Sequence, residues 1–402
     1  MSNTNAIDSV REKIDQAWEI SWSRFFRTET NLFYDWLSSY EPGAEFAHLP
    51  KAEEVRRQYP NPCGWGTGME DSMITAGAVM AMICDRYAVT GEDFLRERAD
   101  AVFKGMVLCA EIHNTPGFIA RSVCLEDCKS IYINSSRDQY THYVHGLWKF
   151  FFSPLCNEFQ KSKICKILID IAAFMERTVI PENNYTFLRQ DGVPCPVSVC
   201  KMWETDAHEA ARLPMIYAAA WKVSGDSHWR DKYLEYAREA GEQSNKLRCQ
   251  QYLAYALLQM QCSLDLLVEA DDENPEIIKL YHNAMNRAAE LATYNAMKAL
   301  EDYKKYDLTM LCQDWRKRAW GKALSYEVPK WENYLPVLMC QREGGEAALV
   351  QMMTPGYRMS ELQLEILKEL IMQPDYCKFS NYGIHYLQAA YWKARRQQYK
   401  LI

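Results

Sequence analysis

The chain has 402 residues, 48% of them hydrophobic, with 46 basic against 53 acidic side chains and a formal net charge of −7. That acidic balance is spread along the chain and leaves no basic surface to neutralise phosphates, which argues against a nucleic-acid partner. No apolar run approaches the roughly 18–20 residues that cross a bilayer, and the opening Met-Ser-Asn-Thr-Asn-Ala-Ile-Asp lacks a secretory signal's apolar segment. No membrane partner is therefore expected, and the expected compartment is the cytoplasm, or the periplasm or exterior if a signal has been trimmed.

Helical periodicity runs through 7–26, 70–89, 92–112, 138–152, 159–178, 228–243, 246–268, 276–303, 360–373 and 382–397. Alternating strand-like runs are nearly absent, and one short hairpin is expected within 185–200. With no Pro/Ser/Gly-rich linker between these segments, the pattern predicts an all-α fold in a single domain over 1–402. The 14 cysteines are scattered; several, such as Cys84 and Cys262, fall on apolar helical faces and read as small core residues. There is no Cys-x-x-Cys, and no cofactor or structural zinc is expected.

Thr-Gly-Glu-Asp-Phe-Leu-Arg at 90–96 recurs as Ser-Gly-Asp-Ser-His-Trp-Arg at 224–230, an offset of 134 residues. In each copy a glycine can end one helix in the left-handed conformation, and the acidic residues after it suit the positive end of the next. Each copy is thus a helix–turn–helix corner. The same offset carries Glu70 onto Glu204, each 21 residues before its corner glycine. Further hairpins fit 138–152 with 159–178, 246–268 with 276–303, and 332–342 turning through Gly344-Gly345 into 346–353. With the terminal helices paired, about six hairpins result, and such units bury their apolar faces by stacking or by closing into a ring. Leu387, Ala390 and Tyr391 of the last helix still need a neighbour, which favours closure.

The Thr/Ser-Gly-Asp/Glu corner, in a chain rich in Trp and Tyr, resembles the six-hairpin glycosidases with an (α/α)6 toroid. The stretch GWGTGMEDSMITAGAVMAMICDRYAVTGEDFLRERA at 64–99 is most similar to the unsaturated glucuronyl hydrolases and their relatives. The resemblance covers most of the chain in architecture but only 64–148 and 203–230 in motif, and that family's tryptophan-and-glycine signature is missing from the later half. It implies an oligosaccharide site in a cavity at the N-terminal ends of inner helices, where two carboxylates work.

On a helix beginning near Ser136, Asp138, His142, His145 and Lys149 share one side, while Tyr140, Val144, Leu147 and Phe151 point the other way. Ser135 or Ser136 can cap this helix, which places Asp138 in its first turn, where the dipole favours a charged carboxylate suited to act as base. The bland alternative is a solvated face. Glu70 and Asp71 follow a glycine-rich loop; Glu70 stands three residues after Thr67, the spacing of a capping box, while Asp71 is free of that explanation. Glu204, His208 and Arg212 are spaced four apart, although Pro214 places the regular helix at about 213 onward. Catalytic carboxylates are thus expected among Asp138, Asp71, Glu70 and Glu204. Arg121, Arg137 and Arg212 are the cations for a carboxylate-bearing sugar. Trp65 and Trp203, each just before a carboxylate, are expected to stack on sugar rings. Asp206, His142, His145, His208 and His385 complete the polar rim.

Three activities fit these residues. The first is hydrolysis of an oligosaccharide, the family likeness pointing to an unsaturated uronic acid, by an acid/base carboxylate pair. The second is a polysaccharide lyase or sugar epimerase in which Tyr140, Tyr143 or a His removes a proton alpha to a carboxylate and an Arg neutralises that acid group. The third is a helical-repeat binding protein without chemistry.

Overall fold

The fold was read from a computed structural model, which describes residues 2–249 and 251–401. The elements in order are α1 (Ser2–Ile20), a short strand pair β1 (Phe26–Arg27) and β2 (Leu32–Phe33), α2 (Ala52–Arg56), α3 (Ser72–Thr90) and α4 (Phe94–Glu111). There follow α5 (Arg137–Phe151), α6 (Glu158–Thr178), α7 (Arg212–Ser224), α8 (Ser227–Ser244), α9 (Ala254–Ala270) and α10 (Pro275–Lys305). The hairpin β3 (Trp320–Ala323) and β4 (Tyr326–Pro329) precedes α11 (Tyr334–Met353), α12 (Glu361–Met372) and α13 (Asn381–Arg396).

Six helices form a closed inner ring, in the order α3, α5, α7, α9, α11, α13 and back to α3. Around it lie α4, α6, α8, α10 and α12, and α1 completes the outer layer by packing on α12 and α13. This is an (α/α)6 toroid. Inner helices are apolar almost all round and buried on nearly every side, whereas outer helices such as α8 and α10 bury one stripe. By length and hydropathy α3 could cross a membrane, contrary to the expectation from the sequence, but here it lies in the inner ring with 67% of its apolar window buried. Both corner glycines end an inner helix as expected: Gly91 (φ 64°) donates its N–H to Tyr87 and Gly225 (φ 70°) to Trp221.

Two seams of the ring are tight because glycines allow backbones to touch. A Cβ on Gly77 of α3 would lie 2.0 Å from the carbonyl oxygen of His142 on α5, and one on Gly146 would lie 2.6 Å from Gly77 Cα. On another seam, a Cβ on Gly345 of α11 would meet the Tyr386 backbone of α13 at 2.5 Å. This corrects the expected turn at Gly344-Gly345. Those glycines lie inside one continuous helix, where the absence of side chains serves close packing rather than reversal of the chain. The outer partner of α11 is instead α12.

Other expectations shift at their edges. The helix expected from 246 starts only at Ala254, and the described residues 246–249 and 251–253 lie outside α9. The hairpin expected within 185–200 reduces to two isolated bridges, Thr186–Lys201 and Leu188–Pro194. The β3–β4 hairpin reaches over the N-terminal ends of the inner helices: Trp65 meets Tyr326 edge-on at 5.9 Å, and Asn61 donates to the Glu327 carbonyl at 3.2 Å.

The seam predicts unequal costs for two glycine-to-alanine changes. Gly77→Ala forces α3 and α5 apart and should cost about 2 kcal/mol or more, as overpacking against backbone does. Gly91→Ala, whose Cβ would meet nothing within 4 Å, should cost only about 1 kcal/mol for its left-handed backbone. Urea unfolding of both variants measures the difference.

Candidate axial site

Each inner helix sends a polar side chain from its first turns, or the residue just before it, toward the ring axis. Asp71 precedes α3 and accepts on both oxygens: from Gln139 Nε2 at 2.7 Å and Arg121 Nη1 at 3.3 Å on Oδ1, and from the Tyr382 hydroxyl at 2.9 Å on Oδ2. Asp138, in the first turn of α5 behind the Ser136 cap, forms an ion pair with Arg212 Nη1, while Arg212 Nη2 donates to Gln259 Oε1 of α9 at 2.8 Å. Arg342 of α11 bonds Glu346 through Nε at 2.8 Å. Its guanidinium also lies over the rings of Tyr255, Tyr382 and Tyr386, at 5.2, 4.8 and 5.7 Å from their centroids.

Tyr255 ties the two sides together, since Asp138, Arg342, Glu346 and Arg212 all act on its hydroxyl electrostatically. Burial works against the charge on Asp138, but Arg212, with Arg137 and Arg121 behind it, outweighs that and holds the carboxyl down at about 2. Glu346 is fully buried, and its pKa is raised because burial outweighs the help of Arg342; its Oε2 has no hydrogen-bond partner. Asp138 keeps 29% of its side chain exposed and Asp71 22%, so both open into space rather than packing.

Below this mouth, His142 and His145 follow on the same stripe of α5. Their stripe faces the axis, so the solvated-face alternative is not what the fold builds: both are buried and line an axial cavity together with Cys262 and Tyr386. Tyr140, Val144 and Leu147 point away, as the helical period predicts.

Other candidate residues lie apart from this cluster. Glu70 is buried and turned back into its own loop, where Oε2 accepts from the backbone N–H groups of Gly66 and Thr67; burial and the Asp71 charge push it up to about 8. Thr67 Oγ1 donates to the Gly64 carbonyl, so only half of a capping box forms. Glu204 is 59% exposed, has a left-handed backbone and lies 3.6 Å from Lys201. The offset that aligned it with Glu70 fails because a loop separates it from α7. Trp203 packs edge-on against Tyr236 of the outer helix α8 at 4.7 Å. Asp206 and His208 line a rim groove with Gln243 and Tyr252. Arg137 clamps the 198–209 loop through Glu209 and the Ser198 and Lys201 carbonyls. His385 is buried edge-on against Phe33, neither nitrogen has a partner, and burial lowers its pKa to about 3. Trp65 stacks toward Arg121, which lies 5.8 Å from its ring centroid.

The site also uses residues that the sequence reading passed over: Asp35, Tyr255, Gln259, Arg342, Glu346, Tyr382 and Tyr386. Arg342 and Glu346 stand four apart and continue into Leu349 and Met353, which line the cavity. That stripe was legible in principle but was cut by the two glycines. Asp35 is fully buried in the connection between β2 and α2, where burial and the charges of Asp71 and Glu70 raise its pKa well above the usual range. No local pattern marks it.

No known protein family and no curated protein matches the sequence. Solved structures do share its helical ring. One is a sugar epimerase from a ruminal bacterium, 13% identical over 90% of this chain and 84% of that one, with a TM-score of 0.49. Another is the α-1,6-mannanase GH76A of Salegentibacter sp. HEL1_6, 12% identical over 72% and 88%, with a TM-score of 0.38. A third is a glycoside hydrolase family 76 mannosidase of Bacteroides thetaiotaomicron, 9% identical over 98% and 100%, with a TM-score of 0.33. These likenesses give no specific support to the unsaturated glucuronyl hydrolases.

The Asp138–Arg212 pair predicts an acid limb in stability. A carboxyl lowered from about 3.9 to about 2 contributes about 2 kcal/mol that is present above pH ~4 and lost as the pH falls through ~2. Asp138→Asn should lower stability at neutral pH and flatten this limb. Urea unfolding across that range checks it, and an unchanged limb would remove the assignment.

Proposed function

We propose that the protein is a carbohydrate-active enzyme, a glycoside hydrolase that works on an oligosaccharide at the N-terminal mouth of the ring. One observation carries the reading: on inner helices three places apart in the ring, Asp138 is paired with Arg212 and 29% exposed, while Glu346 is buried with Oε2 left without a hydrogen-bond partner, and these surroundings favour opposite protonation states. A hydrolase needs such a pair, one carboxyl holding a proton for the leaving oxygen and one ionised to act as base or nucleophile. Asp138 takes the ionised role and Glu346 the acid role, which Glu70 and Glu204 are not placed to fill. Asp71 orients the site through its three donors. Tyr255 and Tyr382 offer ring faces and hydroxyls to a sugar.

The charge pairing favours a neutral sugar over a uronic acid. Arg121 faces Asp71 and Arg212 faces Asp138, so a sugar carboxylate would have to displace one of these partners to reach either guanidinium. Paired acids and guanidiniums instead offer acceptors and donors side by side, which suits hydroxyl groups. The reading rests on these residues, and the mannanases that share the ring suggest which sugars to test first.

A second reading, a sugar epimerase, draws on Tyr382, whose hydroxyl donates to Asp71 Oδ2 at 2.9 Å at the mouth. A tyrosine held by a carboxylate in this way can exchange a proton next to a sugar carbonyl.

Two measurements separate the readings. A hydrolase releases new reducing ends from neutral oligosaccharides, and Asp138→Asn and Glu346→Gln should each cut that release at least about a hundredfold, the lower range for a lost acid or base. An epimerase instead places solvent deuterium on a sugar carbon in D2O without cleavage, and Tyr382→Phe should abolish the exchange. Full activity in Asp138→Asn would overturn the hydrolase assignment.

A further inference from the structure

Beneath the mouth, the axial stripes of α3, α5, α9, α11 and α13 enclose a cavity of about 40 Å³. That is room for about three waters, at ~10–15 Å³ for each. In this part of the ring α5 touches α9 directly as well as α7, and the contact sets Cys262 of α9 against His142 and His145 of α5. Cys262 falls on an apolar helical face, yet it borders this cavity together with both imidazoles. His145 Nε2 lies 3.0 Å from Asp265 Oδ2, which leaves Nδ1 as its second nitrogen. Asp265 is held in turn by Lys149 Nζ at 2.7 Å. A thiol, an imidazole and the carboxylate that fixes that imidazole thus share one small cavity, the set of groups that activates a nucleophile and fixes its base.

The cavity adjoins a groove at the far end of the ring: Met353 and Lys393 line both, and Asp265, Tyr357 and Arg396 line the groove. Its size excludes a sugar ring but admits a molecule of two or three heavy atoms. Among the described residues no other cysteine lines it, so an oxidised Cys262 has no thiol beside it to close a disulfide.

We propose that Cys262, His145 and Asp265 form a second reactive centre, in which Cys262 is oxidised to a sulfenic acid by hydrogen peroxide. The thiolate sulfur attacks one peroxide oxygen; an S–O bond forms as the O–O bond breaks. The departing hydroxide takes the proton of the His145 imidazolium and leaves as water. Two electrons pass from sulfur to peroxide, and an ion pair becomes a neutral sulfenic acid beside a neutral imidazole.

The electrostatics agree with this geometry. Burial opposes the thiolate, but the charges of His145 and His142 prevail and bring Cys262 down to about 6; His145 is raised to about 9, burial being overcome by Cys262 and Asp265. Cys84 and Cys109, buried without such partners, are pushed above the ordinary thiol range. The other titratable groups facing the centre are Lys149 on α5, Asp85 on α3, and Tyr386 and Lys393 on α13. Glu346 on α11 acts on it through His142. Lys393 lies 3.7 Å from Asp85, so these two charges offset each other.

The test is brief peroxide treatment of the full chain, a catalase quench, and unfolding in dimedone followed by peptide mass mapping. Cys262 should carry the sulfenate adduct before every other cysteine, including exposed Cys249 and also Cys195, which is lowered only to about 7. Its rate should reach half-maximum near pH 6. In His145→Ala that midpoint should move toward the free-thiol value of about 8.5, and the rate at acidic pH should fall about twentyfold, the lost thiolate being partly offset by a more nucleophilic sulfur. Should that variant fail to fold, the thiolate ultraviolet absorbance of the native protein, less that of Cys262→Ser, should titrate with the same low midpoint. Labelling of Cys249 or Cys195 while Cys262 stays reduced overturns the proposal, as does a Cys262 midpoint in the ordinary thiol range.

Discussion

The site depends on the contact between two helix backbones at Gly77 and Gly146. With a Cβ at Gly77 meeting the His142 carbonyl oxygen at 2.0 Å, α3 and α5 can lie this close only because both glycines lack side chains. The contact fixes how far Asp71, at the start of α3, lies from Gln139 and Asp138 in the first turn of α5. Gly345 does the same for α11 against α13, where Arg342 must reach Tyr382 and Tyr386. Two glycine seams thus set four of the six axial stripes. The polar bonds at the mouth are consequences of that spacing, because most of them run between helices rather than along one.

A ring interior of this kind must solve the problem of buried charge. Moving an ion from water to a protein interior costs several kcal/mol, and a partner recovers that cost only in good geometry. Here two mouth carboxylates meet a cation from another element: Asp71 meets Arg121, and Asp138 meets Arg212. Burial without such a partner favours the proton instead, as it does for Asp35 beside Asp71 and Glu70, whose pKa is raised. The mouth therefore sets carboxyls in contrasting surroundings within a few side chains of one another, which is the raw material of acid–base chemistry. Pair stability and pair chemistry have one origin, so a change that loosens the ring radius should affect both together.

Most of the ring was legible because its inner helices obey a simple rule. Most are rich in small and apolar residues, α3 and α7 end in a left-handed glycine, and an outer helix with one apolar stripe follows. The axial stripe of α5 could be read residue by residue, because Asp138, His142, His145 and Lys149 keep the helical period. Three features escaped for physical reasons. Gly344-Gly345 looks like a turn, but glycine serves close packing as well as reversal, and only the neighbouring helix distinguishes the two. Glu204 matched Glu70 at a constant offset, yet loops between repeats vary in length while helices do not. His385 and Tyr386 are adjacent and equally suggestive, but a rotation of about 100° between them sends one against Phe33 and the other to the axis. Asp35 belongs to no periodic element, and its place follows from tertiary structure alone.

The axis carries two polar levels on one helix. Asp138, in the first turn of α5, pairs with Arg212 of α7, and about two turns further on His145 reaches Asp265 of α9 at 3.0 Å. Lys149, one turn beyond, closes on the same Asp265 at 2.7 Å. All three contacts run from α5 to a neighbouring inner helix, so all three depend on where the Gly77–Gly146 contact sets α5 in the ring. The carboxylate pairs at the mouth and the polar groups beneath it are therefore placed by one constraint, and a change that moves α5 acts on both levels.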